Sequence, residues 1–326
     1  MLDGDQMIAA STLHLVLREG NPAYDLAGRL GAERDPGVPI LLCGNRRGYD
    51  NRLLAAPGRA DGVSLLWSAL RGEADRVECD AAWWPFLDDA SATTLSRLSP
   101  AGSSWLLDMG AVFDLVGDTF EDFVGSRSKS QRERIRKDRR LFERSGRTIC
   151  EPAPTSHIRE VSELVANVEG RHGKPSEVSR ISRLLRDQLC DVGAAASLIA
   201  CFDGDDMVAC SLNFVSSAEL AVRVAGLAAS NNGRAREYFE TVYYRSIERA
   251  YALKRPVVHL GTGALQAKQR RGATLRALWA VPLLDTMPWS VKEPEEQARR
   301  VLRSLDMNEG VPAGRCRSPL LATLDA

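Results

Sequence analysis

The chain has 326 residues, 44% of them hydrophobic, and its 43 lysines and arginines are balanced by 43 aspartates and glutamates. That length accommodates one large core or two medium ones, and the balance excludes a whole-molecule field that would draw the protein to nucleic acid or to an anionic membrane. Electrostatic partners must therefore be sought in local clusters.

Cysteines 43, 79, 150, 190, 201, 210 and 316 are scattered with no C-x-x-C pair, and several lie in apolar runs such as Leu198–Phe202, so they read as buried, reduced thiols. The acidic start Met1-Leu2-Asp3-Gly4-Asp5 is unlike the basic start of a secretory signal. No apolar run approaches the roughly 18 residues that span a bilayer. A cytoplasmic protein without a membrane span is expected.

Residues 1 to 118 alternate short apolar runs (Thr12–Leu17, Pro39–Cys43) with helical stretches (Ser64–Arg71, Asp89–Leu98), the pattern of an α/β lobe. Strands are predicted at Ser104–Leu107 and Ala111–Leu115, and Trp83-Trp84-Pro85-Phe86 reads as a plug of the first lobe's core or of the lobe interface, or as the lining of a pocket. Asp118 followed by Glu121 predicts a helix start, and Ser128 followed by Gln131 predicts a second, opening a helix that stops at Gly146. Two amphipathic helices follow, one on Ile158, Val161, Leu164, Val165 and Val168, the other on Val178, Ile181, Leu184, Leu185 and Leu189.

The runs Ser197–Phe202, Met207–Phe214 and Glu219–Gly226, joined by turn chemistry, predict an antiparallel meander. A long helix over Arg236–Lys254, a short strand Val257–Leu260 and the loop Gly261-Thr262-Gly263 come next. The expected fold class is α/β, with domains at 1–118, 119–287 and a C-terminal helix and tail at 288–326.

This order resembles the GNAT acyltransferases, and Ala111–Leu115, the basic helix with Arg132, Arg136 and Arg139, and Lys268–Gly272 after Gly261-Thr262-Gly263 resemble its Fem-type, peptidoglycan-biosynthesis-like branch. The resemblance covers residues 104 to 285 and extends loosely to the first hundred. It implies a GNAT-like mixed sheet with flanking helices, in two tandem GNAT-like lobes of which the first lacks a donor site. It also implies an acyl donor in the cleft where the strand before the long helix and the strand after it splay apart.

Several residues then become candidates for chemistry. Asn232, Gly233, Arg234, Ala235 and Arg236 precede a helix N-terminus, where backbone N–H groups and the helix dipole favour an anion; in GNAT enzymes this turn cradles the pyrophosphate of coenzyme A. Lys268 and Gly272 match the K-x-x-x-G element of Fem-type proteins, in which the lysine helps hold the donor or the developing negative charge. His172, in a Gly-bounded turn, is a candidate base for the attacking amine, since an imidazole can accept a proton near neutrality, or else a solvent-exposed loop histidine. Tyr243 is a further proton-transfer candidate, as is Glu237, which also suits the helix dipole.

Residues Arg127–Arg147 carry ten basic side chains against Glu133, Asp138 and Glu143. This is either a solvated face or a phosphate-binding surface, with Arg132, Arg136 and Arg139 as the tRNA contacts. The histidines 14, 157 and 259 stand apart from other ligand types, so no metal is expected. Signatures of serine hydrolases, P-loop enzymes and Rossmann dehydrogenases are missing.

The expected activity is amide-forming N-acyl transfer to a small-molecule or peptide-like amine. Aminoacyl-tRNA or acyl-CoA would serve as co-substrate, with no tightly bound cofactor. The alternative is a catalytically silent GNAT-like protein that binds a ligand or partner.

Overall fold

The computed structural model describes residues 1–306, apart from 33–37, 80, 172, 174–175, 230–234 and 286–290. The chain divides into two compact units, one of Met1–Gly110 with Leu275–Ala326, the other of Ala111–Thr274. The segment from 275 onward is thus counted with the N-terminal residues. Among the described residues no helix is long and apolar enough to cross a membrane.

In the first unit the strand order is Leu13–Val16, Ile40–Cys43, Ala81–Leu87, Thr274–Pro282 and the leading part of Trp105–Asp114. Every residue of Ala81–Leu87 is buried, which explains its unbroken apolar run. Trp83 meets Trp105 edge to face, with ring centroids 5.5 Å apart. Helix Pro294–Asp306 is fastened to this unit by Gln297, whose Nε2 donates to the carbonyls of Arg29 and Leu106 at 2.8 and 2.9 Å.

The second unit carries the meander Ala196–Asp203, Asp206–Val215 and Glu219–Leu227, edged by Thr148–Cys150. Helices Ile158–Arg171 and Val178–Val192 cover one face of it. Of their predicted apolar stripes, Val161, Leu164, Val165, Ile181, Leu185 and Leu189 pack on Leu198, Ala200, Cys210 and Leu212, whereas Leu184 is exposed. Burying each such aliphatic side chain stabilises by about 1.5–3 kcal/mol. Gly226 lets the first helix approach, since a Cβ there would lie 2.6 Å from both Cys210 Sγ and Leu164 Cβ.

The sheet order that the resemblance implies is present. Glu219–Ala221 pairs in parallel with Val257–His259, which pairs on its other side with Val112–Asp114. Beyond Ala221 the two parallel strands part, and Glu219–Leu227 runs on without that partner. A β-bulge lies at the same place: Leu212 opposes Val224 while Asn213 opposes Val222, which leaves Arg223 as the extra residue.

Three local readings change. Strand Trp105–Asp114 is continuous where a break was expected. The capping box belongs to Thr119 and Asp122 rather than to Asp118 and Glu121, because Asp122 Oδ2 accepts from Asp118 N, Thr119 N and Thr119 Oγ1 at 3.1, 3.0 and 2.8 Å. The long helix opens as a π-helix, Phe239–Tyr244, before continuing as the α-helix Arg245–Ala252. The Ser128–Gln131 box is as expected and starts helix Lys129–Glu143.

Candidate functional site

The connections that leave the carboxyl ends of the two parting strands lead to Arg236 and Phe239 on one side and to the helix Leu265–Gln269 on the other. Between them and helix Lys129–Glu143 lies a cleft of about 480 Å³. Five cationic side chains line it, Arg134, Lys137, Arg236, Arg270 and Arg271, against the carboxylates of Glu133 and Asp138. Helical spacing places Ser130, Glu133, Arg134 and Lys137 on one face, while Ile135, Asp138 and Phe142 turn into the protein.

Asp138 organises the floor. Its side chain is 5% exposed and that of Arg271 4%. Arg271 donates to Asp138 Oδ2 from Nε at 2.8 Å, and a terminal guanidinium nitrogen lies 2.6 Å from the same oxygen. Tyr244 donates its hydroxyl to that oxygen at 2.8 Å, and Arg236 Nε stands 3.5 Å from the other. Arg271 also lies over the Phe239 ring, 3.3 Å from its centroid, and donates to the Ala267 carbonyl at 2.9 Å. Burial and the neighbouring Asp138 charge together push the Tyr244 phenol well above its ordinary range.

Lys268 is buried, and its ammonium donates to the carbonyls of Leu260, Gly261 and Thr262 at 2.9, 3.0 and 3.1 Å. It therefore braces the loop that follows the strand Val257–His259. Gly272 has φ +95°, and a Cβ there would lie 2.4 Å from Arg127 Cδ. Arg127 donates to the Gly272 carbonyl at 2.8 Å and to the Asp114 carbonyl at 3.1 Å.

Tyr243 is fully buried against the rings of Phe113, Tyr238 and Phe239, and burial pushes its phenol well above the ordinary range. Arg236 adopts φ +65°, a left-handed conformation rare for a side-chain-bearing residue, and Ala235 precedes it. His172, Asn232, Gly233 and Arg234 lie outside the described residues.

The three arginines of the basic helix have separate fates. Arg132 donates to the Arg127 carbonyl at 2.6 Å, and Arg136 is exposed. Arg139 stacks over Phe120 at 4.7 Å and pairs with Glu248 at 2.8 Å and Glu240 at 3.3 Å. Glu237 is buried against Arg147. Glu240 is held above the usual carboxylate range because burial outweighs Arg139 and Arg245.

The cations that do face the cleft from this helix, Arg134 and Lys137, were not singled out in the sequence. A signal existed: with Ile135 and Phe142 marking the buried stripe, Asp138 and Arg139 fall beside it and Arg134 and Lys137 fall off it.

No protein-family model and no curated protein matches the chain. Solved structures do. The crystal structure of FemX superposes with a TM-score of 0.58 at 10% identity, covering 85% of this chain and 88% of that one. A C-terminal domain (DUF2156), assigned to a lysylphosphatidylglycerol synthetase of Agrobacterium fabrum, gives 0.54 at 10% identity over 88% and 86%. A conserved protein of unknown function from Bacteroides thetaiotaomicron gives 0.53 at 12% identity over 76% and 79%. The chain has a GNAT-like mixed α/β fold, which it shares with FemX.

Proposed function

We propose that this chain is an N-acyltransferase that takes an aminoacyl group from aminoacyl-tRNA and passes it to an amine of a small molecule or peptide-like acceptor. The observation that carries this reading is the cationic cleft beyond the parting strands, lined by Arg134, Lys137, Arg236, Arg270 and Arg271. The same helix carries further exposed cations, Arg136, Arg140 and Arg144, the first two lining a separate hollow with Phe120, Glu121 and Val124, so its charge exceeds what one pyrophosphate requires.

In the transfer the acceptor nitrogen attacks the acyl carbon, the C–N bond forms and the C–O bond to the terminal ribose breaks. The nitrogen loses a proton and the departing ribose oxygen gains one, so no covalent enzyme intermediate is needed. The protein's part is positioning and charge. Arg236 and Arg270 take phosphate oxygens, and Arg271 is held by Asp138, Tyr244 and Phe239 as a fixed positive floor. Lys268 acts on the loop 260–262 as a positioning residue.

A second donor, acyl-CoA, is favoured by the cleft's place beyond the two parting strands, where GNAT enzymes hold coenzyme A. The deciding measurement is a titration with aminoacylated bulk tRNA at low and moderate salt, with coenzyme A as competitor. Binding that weakens with salt, and weakens further in Arg134→Gln/Lys137→Gln, supports the tRNA reading. Competition by coenzyme A with no tRNA binding moves the donor to acyl-CoA. Donor binding without transfer to any of a broad panel of amines identifies a silent binding protein.

A further inference from the structure

Arg223 stands where the sheet opens. It is the extra residue of the bulge in strand Glu219–Leu227, two positions beyond Ala221, the last residue paired with Val257–His259. Bulges re-aim side chains, and this one turns Arg223 toward the helix Val178–Val192, where its Nε donates to Gln188 Oε1 at 3.0 Å. Its neighbours Ala221, Val222, Val224 and Ala225 are only half-buried, although the strand is internal to the sheet. The backbone edge beyond Ala221 is therefore open to a ligand.

The charge at this position lacks the compensation that several withdrawn arginines of the same unit have. Arg139, Arg147 and Arg271 each face a carboxylate, and Arg127 uses its guanidinium on the carbonyls of Asp114 and Gly272. Arg223 is half-buried and meets, among the described residues, no carboxylate and no hydrogen-bond acceptor other than Gln188. A partly desolvated guanidinium whose Nε is fixed by Gln188 is suited to a planar, two-oxygen anion at its terminal nitrogens.

We propose that Arg223, held by Gln188, binds a carboxylate of the acceptor, so that the acceptor is an amine that also carries a free carboxylate, such as an amino acid or a peptide. The inference rests on the transfer reading for the word acceptor; the carboxylate site itself does not. The carboxylate docks at the bulge on the face covered by the two amphipathic helices, and the amine then lies toward the open strand edge where the acyl group is delivered.

The test uses the whole protein without donor and two probe pairs: L-lysine against L-lysinamide, and L-alanyl-L-alanine against its C-terminal amide. Dissociation constants are read by calorimetry or ligand-observed NMR. The expected result is that at least one acid binds at least about tenfold more tightly than its amide, the effect of one charge-assisted bidentate contact. Arg223→Gln should remove that preference, and Arg223→Lys should retain part of it.

Equal binding of acid and amide, failure of both acids to bind at millimolar concentration, or an unchanged preference in Arg223→Gln overturns the proposal. Should Arg223→Gln fail to fold, Gln188→Ala decides the matter: the preference should shrink, and its persistence at full size overturns the proposal. Binding of tRNA and of coenzyme A is measured on the same preparations. Loss of both with the acid preference intact removes the transfer reading and leaves the carboxylate site standing.

Discussion

Arg271 lies over the Phe239 ring while two of its nitrogens hold one oxygen of Asp138, so a buried cation is clamped at once by a ring and a carboxylate. Removing only the carboxylate would leave the charge uncompensated. Asp138→Ala is expected to destabilise by about 3–5 kcal/mol, whereas Asp138→Leu/Arg271→Met, which removes both charges, should recover much of that loss. Urea unfolding of the two variants checks this. The double variant should fold yet bind donor poorly, which separates the pair's structural part from its electrostatic one.

Arg134 and Lys137 are exposed on the cleft face, whereas Arg139 is tied to Glu240 and Glu248. Replacing the first two by glutamine should leave thermal stability nearly unchanged and flatten the dependence of log Kd for tRNA on log salt by about one unit for each phosphate no longer neutralised. Arg139→Gln should do the reverse. It leaves the buried Glu240 with Arg245 alone and is expected to destabilise by about 1–3 kcal/mol, with little change in the salt slope of what remains folded.

Glu240 gives a pH signature. Burial raises its folded-state pKa above the ordinary 4.5 in spite of Arg139 and Arg245. A raised pKa means that the folded protein holds this proton more tightly than the unfolded chain. The contribution is therefore favourable below the ordinary pKa and is lost as pH climbs through the folded value. The stability of the wild type relative to Glu240→Gln should fall over that climb, as read from unfolding midpoints at a series of pH values.

Gly272 and Gly146 both have positive φ, at 95° and 71°, but only Gly272 has a neighbour against it, Arg127 Cδ at 2.4 Å from a built Cβ. Gly146→Ala should cost about 1–2 kcal/mol, the penalty of a left-handed alanine. Gly272→Ala should cost more, because Arg127 must also leave the carbonyls it holds. The difference in melting temperature between the two variants is the check.

Thiol reactivity should divide by position. Burial pushes the thiol pKa up to about 11 at Cys201 and about 12 at Cys210, while Cys150 and Cys190 are exposed. At mildly alkaline pH a maleimide should label Cys150 and Cys190 in the native protein and reach Cys201 and Cys210 only after denaturation, as peptide mapping would report.

Much of the second unit was legible because its signals are local. Stripes such as Val161, Leu164 and Val165, turn chemistry at Asp203–Asp206, and the Ser128–Gln131 box each sit within a few residues of what they specify. The continuity of Trp105–Asp114 through Gly110 was not legible, because strand pairing comes from residues far away in sequence. Nor was the return of residues from 275 onward to the N-terminal unit.

For the site, Lys268 and Arg236 were legible as chemistry-bearing residues, but their surroundings were not. Three carbonyls around an ammonium, or a carboxylate arriving from Asp138, belong to tertiary contacts that no spacing encodes. Arg223 gave no signal at all, since a bulge is a property of a strand pair and is silent in either strand alone.

The wide turn at Phe239–Tyr244 sets the phase of everything on that helix. A π-helix closes its hydrogen bonds one residue later than an α-helix, so this stretch holds a surplus residue that a straight helix would omit. Deleting one residue there would let the segment tighten into α geometry. It would also rotate Arg236 and Phe239 by about 100° relative to Tyr244. The aromatic shelf under Arg271 and the hydroxyl that reaches Asp138 could then no longer face the same neighbour. The register slip is thus what lets a single helix present both a ring and a phenol to one ion pair.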